Sequence, residues 1–159
     1  MNVWRLLCIP AVLFAVLPAA ASAAMPTHPR LRVTTLDGKT FDLAAERGHW
    51  VIVNYWATWC VPCIKEMPDI SRFVAGHEQV RAIGLAYQDG DVADIKAFAA
   101  KHPVDYPIAQ ISMDKPPADF DQPLGLPTTW VIDPQGKVAA HVVGPVTPAK
   151  LAEVIGGKQ

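Results

Sequence analysis

The chain has 159 residues, of which 51% are hydrophobic and 18% are charged, so it can bury one core and is expected to form one folded domain. Its formal net charge of -1 excludes the basic excess that is typical of proteins that bind nucleic acid or anionic membranes. Composition therefore excludes these two function classes, and the function has to be inferred from the motifs.

The first residues have the pattern of an export signal. One positive charge precedes the apolar residues 6–17, and the small residues that follow offer a cleavage site after Ala23. We therefore assign residues 1–23 to a signal peptide and residues 24–159 to the folded domain. Residues 6–24 are just long enough to approach a bilayer span, so a retained membrane anchor is the alternative. Both interpretations place the domain outside the cytoplasm, in the periplasm or an equivalent compartment.

A hairpin and a buried strand are the first elements predicted after this leader. Residues 31–36 and 39–43 have strand-like composition and flank an Asp-Gly dipeptide, which predicts an N-terminal β-hairpin. Residues 49–56 are apolar without alternation, which is typical of a strand that is buried on both faces.

Helical periodicity follows in two places. Apolar residues recur at helical spacing over residues 63–75, and again over residues 91–102, where Asp91 is a candidate N-cap. The apolar residues 80–87 lie between these segments and predict a second central strand.

The last third of the chain predicts three strands and a helix. Residues 104–111 favour a short strand, residues 130–133 a further central strand, and residues 138–143 a strand entered through a Pro-Gln-Gly-Lys turn. Residues 112–122 are rich in Asp and Pro and show no periodicity, whereas residues 148–155 have helical spacing. This order predicts an α/β fold with a mixed central sheet, helices on both faces and an N-terminal hairpin extension.

Cys60 and Cys63 are the two cysteines that remain once the leader is removed. The loop that they would close is too short to stabilise a domain of this size, so a structural disulfide is a poor explanation. A zinc site would need a second cysteine pair or histidines at ligand spacing, and the five histidines are scattered. The pair therefore predicts dithiol and disulfide chemistry that uses no metal or other cofactor.

The motifs that surround this pair resemble a known family. WCVPC at 59–63, GLPTT at 125–129 and the turn PQGK at 134–137 are similar to the thioredoxin superfamily, and more narrowly to its exported TlpA/ResA-like thiol-disulfide oxidoreductases. The resemblance covers most of the chain after the leader. It implies a thioredoxin-like fold and an activity that exchanges thiols with disulfides.

The two cysteines are expected to have different roles. A thiolate at the N-terminal end of a helix, as predicted for Cys60, is stabilised by the macrodipole and by unpaired backbone N–H groups. We therefore expect Cys60 to attack a client, and Cys63, shielded by its own helix, to resolve the mixed disulfide. Strongly oxidising members of the superfamily carry a histidine before the second cysteine. Pro62 stands there in this chain, which favours a reductase over an oxidase.

Glu66 lies one turn after Cys63 and shares its helix face. In ResA-like proteins a glutamate at the matching position belongs to the active site, and the resemblance implies that Glu66 transfers a proton to or from Cys63. The alternative is a solvated surface glutamate. Asn54 stands where thioredoxin has a buried aspartate.

Pro127 matches the cis-proline that faces the cysteine pair in this family, and an ordinary trans proline is the alternative. A cis-proline leaves neighbouring backbone free to pair with an extended client. The resemblance further implies that Trp59, Pro62, Leu126 and Thr128 border the bound substrate.

The leading hypothesis is an extracytoplasmic protein-disulfide reductase. Its clients would be protein thiols and disulfides; among its relatives, apocytochrome c and copper-site proteins are clients. An upstream electron donor, such as a membrane-bound protein, would reduce the cysteine pair again. A copper-delivery protein that uses the dithiol as ligands is one alternative, and it would favour a nearby histidine, for which His141 is the candidate. A disulfide oxidase or isomerase is the other alternative.

Overall fold

The computed structural model describes residues 26–157 and confirms the predicted fold class, an α/β domain with a mixed central sheet and an N-terminal hairpin. The predicted signal peptide, residues 1–23, lies outside the described residues. Among those described, no helix has the length and apolar character needed to cross a bilayer.

Seven strands, a 3-10 helix and three α-helices make up the described part of the chain. In chain order they are β1 (Arg32–Thr34), β2 (Thr40–Asp42), the 3-10 helix (Leu43–Glu46), β3 (Trp50–Trp56), α1 (Val61–Ala75), β4 (Val80–Tyr87), α2 (Val92–Lys101), β5 (Ile108–Ile111), β6 (Thr128–Ile132), β7 (Val138–Val143) and α3 (Pro148–Gly156).

The central sheet has the strand order β5-β4-β3-β6-β7. β3 pairs with β4 in parallel and with β6 in antiparallel fashion, so the strand that leads to the cysteines is held on both sides. All seven of its residues are buried, as the unbroken apolar run predicts. β1 and β2 form a separate hairpin, which contacts the edge of the sheet where Thr35 bridges to Ala109.

The two faces of the sheet are covered differently. Side chains alternate along β3, and Ile52 lies on the face where α1 and α3 pack through Ile70 and Leu151. α2 packs on this same face through Ile95. Val53 lies on the other face, in a core cluster without α-helical residues that is closed by the hairpin, the 3-10 helix and an irregular loop. The three α-helices therefore share one face, and the single 3-10 helix is the helical element of the other.

Several boundaries differ from the predicted ones for identifiable reasons. α1 begins at Val61 rather than at residue 63, because Cys60 occupies its N-cap. β5 begins only at Ile108, since Pro107 has no backbone N–H to donate to a neighbouring strand. Residues 112–122 form neither helix nor strand, yet Phe120 within them is buried and meets the ring of Trp130 edge-on.

Candidate active site

The cysteine pair lies where β3 ends and α1 begins, and it forms a disulfide with an S–S distance of 2.02 Å. Cys60 is the N-cap of α1, and its sulfur accepts a hydrogen bond from the backbone N–H of Cys63 at 3.3 Å. The Cys60 residue is 4% exposed and Cys63 is fully buried. A partner can therefore reach the first sulfur more easily than the second, and the first sulfur lies at the N-terminal, positive end of α1.

The loop before Cys60 is fixed by a side chain from the neighbouring strand. The Thr58 N–H donates to Oε1 of Gln88 at 2.7 Å, directly after the end of β4. Gln110 in turn donates to the backbone carbonyl of Gln88 at 3.1 Å. Sequence reasoning missed Gln88, because in the sequence it is only a polar residue at the end of an apolar run.

The segment before β6 lies next to the cysteines. The Leu126–Pro127 peptide bond is cis, and half-buried Leu126 packs against the core cluster that contains both cysteines. Thr128 is buried, donates its hydroxyl to the carbonyl of Gly125 at 2.7 Å, and pairs with β3. Of the proposed substrate-bordering residues, Thr128 thus has a side chain that is enclosed by the protein rather than open to solvent.

Large apolar side chains near the disulfide are exposed to solvent. Trp59, directly before Cys60, is 63% exposed, and Val61, directly after it, is 59% exposed. Pro62 is also exposed, and Leu124 in the loop that leads to the cis bond is 94% exposed. Exposed apolar groups beside a reactive centre, as Trp59 and Val61 are, are typical of a protein-docking surface. Sequence reasoning identified Trp59 and Pro62 but not Val61 or Leu124.

Glu66 is buried, with 3% of its surface exposed, so it is not a solvated helix glutamate. Its Oε1 accepts from the side-chain amide of Asn54 at 2.8 Å, and its Oε2 accepts from the backbone N–H of Val146 at 2.7 Å. Burial raises the pKa of this carboxyl to about 7, against the opposing effects of the Val146 and Asn54 hydrogen bonds, and the nearby Asp69 raises it further. The group can therefore hold or release a proton near neutral pH.

The metal-binding alternative finds no ligand set in the described residues, where no three His, Cys, Asp or Glu side chains are grouped to hold an ion. His141 stacks on the ring of Trp130 at 4.6 Å. Trp130 belongs to the core cluster on the face opposite the α-helices, so the structure places the candidate histidine on the other side of the sheet from the cysteines.

Comparison with known proteins agrees with this geometry. The AhpC/TSA family matches residues 26–141. The chain is 33% identical over 132 residues to a protein of Bacillus thuringiensis subsp. konkukian named thiol-disulfide oxidoreductase ResA, covering 80% of this chain and 73% of that protein.

Two solved structures share the fold. A thiol:disulfide interchange protein from Chlorobium tepidum TLS superposes with a TM-score of 0.70 at 28% identity, covering 86% of this chain and 98% of the other. The dsbF protein of MTB, solved in mixed oxidised and reduced forms, gives a TM-score of 0.71 at 26% identity over 84% of this chain and 98% of the other.

Proposed function

Because the chain belongs to the AhpC/TSA family of thioredoxin-like proteins and is a thiol-disulfide oxidoreductase with a Cys60–Cys63 pair, we propose that it reduces disulfides in exported client proteins. The observation that carries this proposal is the asymmetry of the pair. One sulfur caps a helix and belongs to a residue that keeps 4% of its surface exposed, and the other belongs to a residue that is fully buried. Pro62 between them offers no donor to stabilise the first thiolate, which supports reduction as the direction.

The reaction transfers two electrons to the client in two exchanges. The Cys60 thiolate attacks one sulfur of the client disulfide, forms a mixed disulfide and displaces the other client sulfur as a thiolate. The Cys63 thiolate then attacks Cys60, closes the Cys60–Cys63 disulfide and releases the second client thiolate. Glu66 takes the proton that Cys63 must lose, since its carboxyl group exchanges protons near neutral pH. A dithiol donor returns the pair to the reduced state.

Clients approach over the exposed apolar side chains of Trp59 and Val61, which precede and follow Cys60 directly in the chain, and exposed Leu124 in the loop before the cis bond extends the apolar character of this surface. The leader at residues 1–23 supports an extracytoplasmic location, where disulfides form and need reduction. A donor held in the membrane would be the source of electrons in that compartment.

Capture of clients tests the assignment of the cysteines. In a Cys63→Ser variant the mixed disulfide cannot be resolved, so we expect covalent adducts through Cys60 that disappear on treatment with a thiol. The matched control is Cys60→Ser, which keeps the other cysteine and should capture nothing. Adducts in the Cys60→Ser protein, or none in the Cys63→Ser protein while the unmodified chain turns over, would contradict the proposal.

The direction of the reaction is tested by its reduction potential. Equilibration with a thiol-disulfide buffer should give a value near that of thioredoxin, about -270 mV, rather than the roughly -120 mV of a strong oxidant. A value close to the oxidant would reverse the proposed direction and leave the roles of the cysteines intact.

A further inference from the structure

Asn54 is a buried polar residue that the reaction described above does not use. It lies in the middle of β3, is 0% exposed, and pairs with Thr129 across to β6. Its side-chain nitrogen donates to Oε1 of Glu66 at 2.8 Å and to the hydroxyl oxygen of Thr129 at 3.0 Å. Among residues 26–157, its side-chain oxygen has no hydrogen-bond partner.

This bonding pattern is uneven for an amide. Both N–H groups are used, whereas the carbonyl oxygen, which has two lone pairs, is buried and unpaired. An unpaired buried acceptor lowers stability, so the present orientation is not the one that packing alone would select. The orientation is explained by the ionised carboxylate of Glu66, which accepts hydrogen bonds and cannot donate one.

Protonation of Glu66 reverses these preferences. The carboxyl group then has an O–H to donate, and a half-turn of the amide brings the Asn54 oxygen to the place of its nitrogen. That oxygen can accept from the Glu66 O–H with one lone pair and from the Thr129 hydroxyl with the other, because a hydroxyl both donates and accepts. The contacts among the three side chains can therefore be kept in both protonation states, with the amide in opposite orientations. The reversed amide leaves its two N–H groups where the unpaired oxygen was, so the pairing with the ionised carboxylate is the stronger of the two.

We propose that Asn54 is a positioning residue of the thiol-disulfide reaction, whose amide reverses its orientation when Glu66 gains or loses a proton. The inference rests on the proposed role of Glu66 as the proton partner of Cys63. The amide keeps the carboxyl group at one place on α1 while its charge changes. Asparagine serves this purpose where aspartate could not, because a second carboxylate would compete for the proton.

Other groups also affect the titration of Glu66, and a test of the proposal has to separate their effects from that of Asn54. In the described part of the chain, the titratable groups that interact with its charge are Asp69 on α1 and Tyr106 in the segment before β5. Cys63 lies one turn earlier on α1 and does not titrate while it is in the disulfide. The fixed donor is the backbone N–H of Val146. Work on the oxidised chain therefore separates the carboxyl titration from that of the thiols.

Nuclear magnetic resonance of the oxidised protein tests the proposal without any turnover. The side-chain carboxyl carbon of Glu66 and the side-chain N–H signals of Asn54 are followed from pH 4.5 to 9. We expect both to change with one shared midpoint near pH 7. In Glu66→Gln the Asn54 signals should stay constant over this range. Asn54 signals that do not move at the Glu66 midpoint would overturn the proposal, and this readout needs no Asn54 variant.

Asn54→Ala supplies the second measurement. Because the amide pairs better with the ionised carboxylate than with the protonated group, its loss should raise the Glu66 midpoint, by at most about one to two pH units. Ser71→Ala is the matched control, because it removes two partly buried hydrogen bonds between α1 and Asp105 and leaves the hydrogen bonds of the Glu66 carboxyl in place. An unchanged Glu66 midpoint in Asn54→Ala, or an equal shift in Ser71→Ala, would overturn the proposal.

The link to the reaction is tested with the reduced protein. In single-turnover reduction of insulin, the midpoint of the rate's pH dependence should be higher in Asn54→Ala, by the same number of pH units as the Glu66 midpoint. A profile that stays in place would show that the amide does not act in the reaction and would overturn its positioning role. Failure of the proposed function itself appears elsewhere, as the absence of client adducts in Cys63→Ser, so the two failures are distinguishable.

Discussion

Replacement of Glu66 by glutamine should change how the stability of the oxidised protein depends on pH. Burial raises the pKa of this carboxyl from 4.5 to about 7 in the folded state. Below pH 4.5 the group is protonated in both the folded and the unfolded chain. Burial of the neutral carboxyl then costs no ionisation energy, and the free energy of unfolding is at its highest with respect to this group. As the pH rises through 7 the unfolded chain binds fewer protons than the folded one, so the free energy of unfolding falls.

The size of this fall follows from the two values. A difference of about 2.5 pH units, at about 1.36 kcal/mol per unit, corresponds to about 3 kcal/mol lost between pH 4.5 and 8.5. A glutamine cannot ionise, so Glu66→Gln should lack this contribution. The difference in unfolding free energy between the two proteins should therefore change by about 3 kcal/mol across the range, while the contributions of other groups cancel.

Urea denaturation followed by far-ultraviolet circular dichroism measures this difference. Both proteins are kept oxidised, so that thiol ionisation does not contribute, and the free energy of unfolding is determined at half-unit intervals of pH. The decline of the unmodified protein should be steepest between pH 5 and 7 and should level off above pH 8. Parallel curves for the two proteins, or a rise of the unmodified protein relative to Glu66→Gln, would refute the argument from burial.

Two further substitutions separate surface recognition from core packing. Trp59→Ala removes an exposed side chain, so the melting temperature should change no more than for a neutral surface substitution. The rate of insulin reduction should fall about fivefold or more, whereas the rate at which dithiothreitol reduces the Cys60–Cys63 disulfide should be unchanged. A loss of stability, or unchanged insulin reduction, would contradict a docking role. Gly84→Ala places a methyl group 3.1 Å from the indole nitrogen of Trp56, so urea denaturation should report a loss of about 1–3 kcal/mol. Unchanged stability would mean that this core can expand.

The elements that the sequence predicts best are those whose pattern is local. β4 has the predicted bounds, since its apolar run ends at clear turn residues, and α2 begins directly after the predicted cap Asp91, whose side chain accepts from the Ala93 N–H. The start of α1 was misplaced by two residues, because a cysteine sulfur is an unusual cap. Phe120 was missed as a core residue, since an irregular segment has no periodicity to reveal which side chain points inward.

The environment of the candidate site depends on contacts that no local pattern contains. Glu66 has the spacing of a surface residue between apolar positions, yet it is buried, and one of its partners is a backbone N–H that lies 80 residues further along the chain, at Val146. The motif resemblance suggested that this glutamate matters, but its hydrogen bonds to Asn54 and Val146 required the folded arrangement. The same holds for Gln88, which reaches the cysteine loop only because β3 and β4 are neighbours.

The sheet face without α-helices has a consequence for the order in which the chain can fold. Its core cluster joins Leu31 and Phe41 near the start of the domain to Phe120 and Trp130 near its end. Contacts so distant in sequence close late and slow the folding reaction. A chain interrupted before residue 120 would therefore lack Phe120 and Trp130, and this apolar face would be partly open to water, a form that a chaperone would bind or a protease would remove.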